Sequence, residues 1–258
     1  MIEQNASTMK YKIKNEQKSK NKATGFQFKQ FTIAQDACAM KVGTDGVLLG
    51  AWVNLNNAEK ILDIGTGTGL LTLMCAQRLQ TQQHSFQIVA VEKDENAFLQ
   101  AQENIEQSPW AQKIKIYHQD VQDFVGQKGN DKFDCILSNP PYFPACIPCK
   151  NKERDLARYT EQSHFQWLEW AKSCLTEKGK IHFVLPFEAG LYLLQQTSLY
   201  CIRRCDVITK EGKQPSRILL TFSSQEQPCE REELTVYNEN NQYTPEFIAL
   251  TKDFYLKM

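Results

Sequence analysis

No stretch of the 258-residue chain approaches the ~18 to 20 consecutive apolar residues that a membrane-spanning helix needs. The N-terminus carries lysines without the apolar core of a secretory signal, so a soluble, cytoplasmic protein is expected. Net charge is absent as well. Thirty Lys and Arg balance thirty Asp and Glu, which excludes a polyanion affinity spread over the whole surface and leaves RNA or DNA to a local patch. There is no internal repeat, hence no solenoid. Metal-ligand sets are missing too. Cys146 and Cys149 have the spacing of a zinc half-site, but no second cysteine pair or histidine set accompanies them, and His118, His164 and His182 show neither triad nor metal spacing. No metal is expected. The nine cysteines are odd in number, and Cys75, Cys135 and Cys174 fall inside helix or strand patterns; reduced thiols fit better than a disulfide framework.

The length suits one large domain. Residues 1–24 are polar, and Lys10, Lys12, Lys14, Lys18, Lys20 and Lys22 face only Glu16, so they read as a basic flexible arm, either a solvated tail or a nucleic-acid contact. Residues 25–258 are expected to form the single domain. Phe26, Phe28 and Phe31 suggest a short strand or hairpin, and Gly43 to Val53 a helix. From Lys60 onward the pattern alternates. Strands are predicted from Lys60 to Ile64, Gln87 to Glu92, Ile114 to Tyr117, Phe133 to Leu137 and, after a break at Gly179, Ile181 to Leu185. Helices are predicted from Leu70 to Leu79, Asn96 to Glu106 and Phe165 to Leu175. This is the pattern of an α/β fold with a mostly parallel sheet and helices on both faces, in which ligands collect at the carboxyl edge. Tyr200 to Ile208 and Ser216 to Phe222 then read as an antiparallel pair closing one edge, for six parallel-type strands plus one reversed. Pro245 to Leu250 opens a terminal helix.

Two turns carry the chemistry. Gly65, Gly67 and Gly69 follow a buried strand and open a helix, so backbone approaches a ligand closely there. Asp63 at the strand end would repel a pyrophosphate, whereas it favours the ammonium and sulfonium of S-adenosylmethionine by roughly 1 kcal/mol per unit charge at 4 Å in water, more where solvent is excluded. Glu92, ending the second strand, can accept both ribose hydroxyl protons. Asp120 can accept from the cofactor's adenine amine with Val121 lining the ring, or simply cap a helix. Thr66 and Lys93 are counted with the same cofactor site. So are Lys41, Thr44 and Asp45, the last two being either helix caps or a cover over the methionine end.

The second turn, Asn139-Pro140-Pro141-Tyr142, follows a buried strand and points to methyl transfer onto a planar, amide-like nitrogen. The Asn139 side-chain oxygen and the Pro140 carbonyl are the candidate acceptors for its two protons, Pro141 stiffens the turn, and Tyr142, supported by Phe143, stacks on a flat substrate. Asn139 borders the cofactor as well. A target base would have to leave its stack, more easily in a loop. Arg154 and Arg158, with Lys150 and Lys152, and later Lys213 and Arg217, with Arg203, Arg204 and Lys210, suggest a phosphate-binding rim.

The chain resembles the bacterial tRNA1(Val) adenine N6-methyltransferases over nearly its whole length. The resemblance lies in Phe28 to Asp36, Met40 to Trp52, the turn at Asn139, Arg154 to Thr160 and the closing Ala249 to Met258. The glycine and Asn-Pro-Pro-Tyr turns are shared by many class I methyltransferases; the N-terminal block and the Arg154 stretch are the specific part. The resemblance implies a Rossmann-like class I fold with a seven-stranded sheet and a final antiparallel pair. It also implies methylation of N6 of adenine 37, 3′ of the anticodon in a valine tRNA, by S-adenosylmethionine, yielding S-adenosylhomocysteine. No membrane or obligate protein partner is implied. A glutamine N5-methyltransferase, or an rRNA or DNA base N-methyltransferase, would use the same turn. A cofactor-binding RNA protein without catalysis would be expected to have lost it.

Overall fold

Parallel strands covered by helices on both faces are apolar almost throughout, and in the run Lys60–Ile64 every residue but the first is buried. The computed structural model describes residues 25–36, 41–82, 85–128, 131–141 and 163–257. Before that run stand a hairpin, β1 (Phe26–Gln27) with β2 (Thr32–Ile33), and helix α1 (Thr44–Trp52). Lys60–Ile64 is β3. It is followed by α2 (Leu70–Thr81), β4 (Gln87–Glu92), α3 (Glu95–Glu106), β5 (Ile114–His118), α4 (Val121–Lys128) and β6 (Phe133–Ser138). Then come α5 (His164–Ser173), β7 (Leu175–Pro186), α6 (Phe187–Gln196), β8 (Tyr200–Lys210), β9 (Arg217–Ser223), β10 (Glu230–Tyr237) and α7 (Pro245–Thr251).

Eight of these strands form one sheet in the order β10-β8-β9-β7-β6-β3-β4-β5. From β7 across to β5 every pairing is parallel. β9 runs antiparallel to both β7 and β8, and β10 lies parallel to β8, so β9 alone is reversed. Side chains alternate across the sheet: Ile61 joins Leu48 and Leu73 in one core, Leu62 and Ile64 join Leu168 and Phe183 in the other. Each fully buried side chain of this size contributes about 1.5–3 kcal/mol, which keeps the strand ends rigid enough to carry a site. Two of the crossover helices are capped by side chains: Asp94 accepts from the Ala97 N–H at 2.8 Å, and Ser163 from the Gln166 N–H at 3.2 Å.

The sheet departs from the sequence reading in three places. It has eight strands rather than seven, because Glu230–Tyr237 adds an edge strand; the β8–β9 pair therefore lies inside the sheet instead of closing it. The first four residues of that strand, Glu-Arg-Glu-Glu, are exposed, and such charge is how an edge strand avoids further pairing. Gly179 does not break β7. A side chain there would come within 2.9 Å of the Phe133 carbonyl, so the strand passes through on a glycine. Finally, α5 ends at Ser173, where Leu175 already begins β7, and α4 and α6 are additional crossover helices. No helix among the described residues is long and apolar enough to cross a membrane.

Candidate active site

Because β3, β4, β5 and β6 are parallel neighbours, their carboxyl ends deliver the glycine turn, Glu92, Asp120 and Asn139 to one edge. A cavity of about 280 Å³ opens there, and Gly65, Gly67, Glu92, Asp120, Val121 and Asn139 are all on its wall. Sequence spacing alone had pointed to these six.

The glycine turn is held from below and from the side. Gly65, Gly67 and Gly69 have φ of 68°, 59° and 83°, a region that L side chains avoid. The N–H groups of Gly65 and Thr66 both donate to the Val91 carbonyl, at 2.9 and 3.1 Å, which fastens the turn to the end of β4. Asp63 does not reach the cavity. It is fully buried beneath the turn, where one carboxylate oxygen accepts from the Thr66 hydroxyl at 2.7 Å, the Thr72 hydroxyl at 2.7 Å and the Thr72 N–H at 3.1 Å. Its other oxygen has no hydrogen-bond partner among the described residues. Burial raises the Asp63 pKa to about 6, against the lowering effect of the threonine hydrogen bonds. The carboxylate thus acts from behind the turn, and Thr66 and Gly69 serve the turn's shape rather than its surface.

Glu92 is the acid on the open side. One oxygen accepts from the Lys93 and Asp94 N–H groups at 2.9 Å each, the other from the Gly67 N–H at 2.9 Å. A carboxylate oxygen has two acceptor positions, so the oxygen bonded to Gly67 keeps one, and Glu92 lies on the cavity wall. Asp120 caps a helix and also borders the cavity. Its Oδ1 accepts from the Gln122 N–H at 2.9 Å at the start of α4, while Oδ2 lies 3.4 Å from the Lys93 ammonium and the residue stays on the cavity wall beside Val121.

Asn139 is half-buried, Pro140 buried and Pro141 exposed. The turn is anchored by Ser138, whose buried hydroxyl donates to the Ile64 carbonyl at 2.8 Å, tying the ends of β6 and β3 together. His164 Nε2 lies 3.3 Å from the Pro141 carbonyl. Tyr142, Phe143, Arg154 and Arg158 lie outside the described residues, as do Cys146, Cys149 and the arm.

Other expected residues stand apart from the cavity. Lys41, Thr44 and Asp45 are not on its wall; the Asp45 carboxylate instead accepts from Arg217 Nε at 2.9 Å. Lys213 is exposed on the β8–β9 turn. Arg203 and Arg204 are engaged within the protein. Arg203 is spent on Glu232 and on the Trp52 ring, 4.1 Å from its centroid, and Arg204 makes a two-pronged bond to Asp206. Among the wall residues that went unread in the sequence are Trp167 and Trp170. Their spacing of three on a predicted helix was the available signal, but it looks the same as core packing. Among the described residues no group of three or more His, Cys, Asp or Glu side chains could hold a metal ion.

Residues 39–192 match the family model described as the methyltransferase small domain. The tRNA1(Val) (adenine(37)-N6)-methyltransferase of Pasteurella multocida (strain Pm70) is 57% identical over 236 residues, covering 91% of this chain and 98% of that one. The chain belongs to this methyltransferase family. The relative of the same name from Mannheimia succiniciproducens is 55% identical over 92% of this chain and 97% of its own. The methyltransferase also shares its fold with a predicted O-methyltransferase, protein Atu636 from Agrobacterium tumefaciens, with a TM-score of 0.64 at 17% identity over 81% of this chain and 96% of that one. Against that fold, the cavity of the methyltransferase lies where parallel strands end and crossover helices begin.

Proposed function

We propose that this methyltransferase moves a methyl group from S-adenosylmethionine to N6 of adenine 37, 3′ of the anticodon, in tRNA1(Val). One observation carries the reading: Asn139 lies on the wall of the same cavity as Glu92 and Asp120, in a chain 57% identical to a relative named for that reaction.

The residues present fit the cofactor. Glu92 keeps an acceptor position for ribose hydroxyls, Asp120 and Val121 suit an adenine, and the left-handed glycines let backbone approach the ligand. Asp63 places its charge behind the turn in a low-dielectric setting, where a cation in front of the turn draws it toward the ionised form. When bound, S-adenosylmethionine supplies an electrophilic methyl group and leaves as S-adenosylhomocysteine. The Asn139 side-chain oxygen and the Pro140 carbonyl accept the two N6 protons, which aligns the nitrogen and favours its pyramidal form; the surplus proton leaves to solvent after transfer. No strong base is needed, because orientation and electrostatics supply the rate. Tyr142 and Phe143 provide the stacking face for the unstacked adenine. Arg154, Arg158, Lys213 and Arg217 hold phosphates around the loop.

The test is nucleoside mass spectrometry on individual tRNAs from a strain lacking the gene, before and after incubation with the purified protein and S-adenosylmethionine. N6-methyladenosine should appear at position 37 of the valine tRNA. Methyl label entering a release factor, with none in tRNA, contradicts the reading.

A further inference from the structure

Helix α5 touches both halves of the site. His164, Trp167 and Trp170 are spaced by three along it and share one face. At the start of that face, His164 Nε2 lies 3.3 Å from the Pro141 carbonyl, across 23 residues of sequence. A carbonyl oxygen only accepts, so Nε2 carries the proton and donates. One turn further on, the Trp167 ring occupies the space a side chain on Gly65 would need: a Cβ there would sit 2.8 Å from its Cη2. Trp167 and Trp170 then line the cavity itself. The same helix face therefore bears on the reactive turn through Pro141 and on the glycine turn through Gly65.

Resting on the methyl-transfer reading above, we propose that His164 is a positioning residue: acting through the Pro141 carbonyl, it fixes the reactive turn at a set separation from the glycine turn, against which Trp167 braces the same helix. Three features support the assignment. Pro141 directly follows Pro140, the proposed backbone acceptor, so a shift at the Pro141 carbonyl re-aims the Pro140 carbonyl. Pro141 and His164 bracket residues 142–162, so their contact ties the chain on either side of the segment that carries Tyr142. Burial lowers the His164 pKa, with the Pro141 hydrogen bond opposing, which favours the neutral ring, and the Pro141 carbonyl draws its proton to Nε2. Catalysis that depends on orientation is sensitive to such a contact, since a displacement of about 1 Å can cost about a hundredfold in rate.

Four variants test this: His164→Gln, whose amide nitrogen reaches about as far as Nε2 and still donates; His164→Leu, which keeps volume without a donor; His164→Ala; and Asn139→Ala as reference. For each, single-turnover methyl transfer to tRNA, S-adenosylmethionine Kd by calorimetry and the melting temperature are measured. His164→Leu and His164→Ala should lose roughly ten- to hundredfold in kcat with cofactor Kd unchanged, and His164→Gln should recover most of it. If Ala alone melts early, Leu and Gln decide. Wild-type kcat in Leu, or no recovery in Gln, or a cofactor Kd that rises by as large a factor as kcat falls, overturns the positioning role. Full turnover in Asn139→Ala would instead sink the reading beneath it, whereas an inactive Asn139→Ala beside an unaffected His164→Leu overturns only this proposal.

Discussion

The Gly67 N–H donates to the Glu92 carboxylate at 2.9 Å, so the glycine turn after β3 and the acid that ends β4 form one unit. Asp63 supports the same turn from beneath without reaching the cavity. The two acids should therefore fail differently. Glu92→Ala is expected to weaken S-adenosylmethionine by about ten- to hundredfold, the worth of roughly 1.5–3 kcal/mol for hydrogen bonds to a charged group, with the melting temperature little changed. Asp63→Ala strips three donors of their shared buried acceptor and should lower the melting temperature together with affinity. Calorimetry and thermal melts on both proteins check this; normal affinity in Glu92→Ala contradicts the unit.

Gly65 and Gly67 both have positive φ, but only Gly65 faces an obstacle. Gly67→Ala should cost about 1–2 kcal/mol, the strain of a left-handed L residue. Gly65→Ala carries that strain plus a Cβ 2.8 Å from Trp167 Cη2, and should cost distinctly more. Pairing it with Trp167→Leu should recover part of the loss in a double-mutant cycle. Denaturant midpoints decide; equal costs at the two glycines, or strict additivity with Trp167→Leu, contradict the contact.

His182 sets a pH dependence in the fold. It is fully buried in β7, its Nδ1 3.0 Å from the Thr221 hydroxyl. Burial first, then the charges of Lys180, Arg203 and Arg78, push its pKa from 6.5 down to about 3. Above pH 6.5 the ring is neutral folded or unfolded and costs nothing. As the pH falls from 6.5 toward about 3, only the unfolded chain takes up the proton, and stability drops by about 1.4 kcal/mol per pH unit from this group. His182→Gln removes the titration, so its urea midpoint should fall less steeply between pH 7 and about 5. Parallel slopes for the two proteins would show that the buried ring is not the source.

Strand boundaries were the most legible part of the chain. Lys60–Ile64 and Gln87–Glu92 are apolar runs closed by turn residues, and both fall where the pattern puts them. Glu230–Tyr237 was hidden because an edge strand needs only one buried side, and its charged half shows no alternation. In the site, residue types at strand ends marked Glu92, Asp120 and Asn139. Asp63 has the same type and position class, yet only three-dimensional structure separates a carboxylate facing a ligand from one under a turn. Trp167 and His164 were missed for a related reason. Their roles arise from contacts with Gly65 and Pro141 on other elements, and helical spacing carries no record of what a face packs against.

Lys213 is one of the cations proposed to hold RNA phosphates. β8 runs parallel to β7, so the turn after it lies at the carboxyl edge that carries Asn139, and Lys213 is exposed there. Lys213→Ala should weaken tRNA binding at low salt and reduce the slope of log affinity against log salt by about 1, leaving cofactor affinity alone. An unchanged slope across a salt series removes Lys213 from the phosphate rim.

The claim that Asn139 holds the reacting nitrogen is tested most directly by Asn139→Ala, measured two ways on one preparation. Single-turnover transfer to valine tRNA, followed by mass spectrometry of N6-methyladenosine, should fall by roughly a hundred- to a thousandfold, the range seen when one preorganised polar contact is removed, while S-adenosylmethionine Kd stays near wild type. A variant that still methylates adenine 37 at the wild-type rate, or one whose loss of turnover is matched by its loss of cofactor binding, contradicts that role.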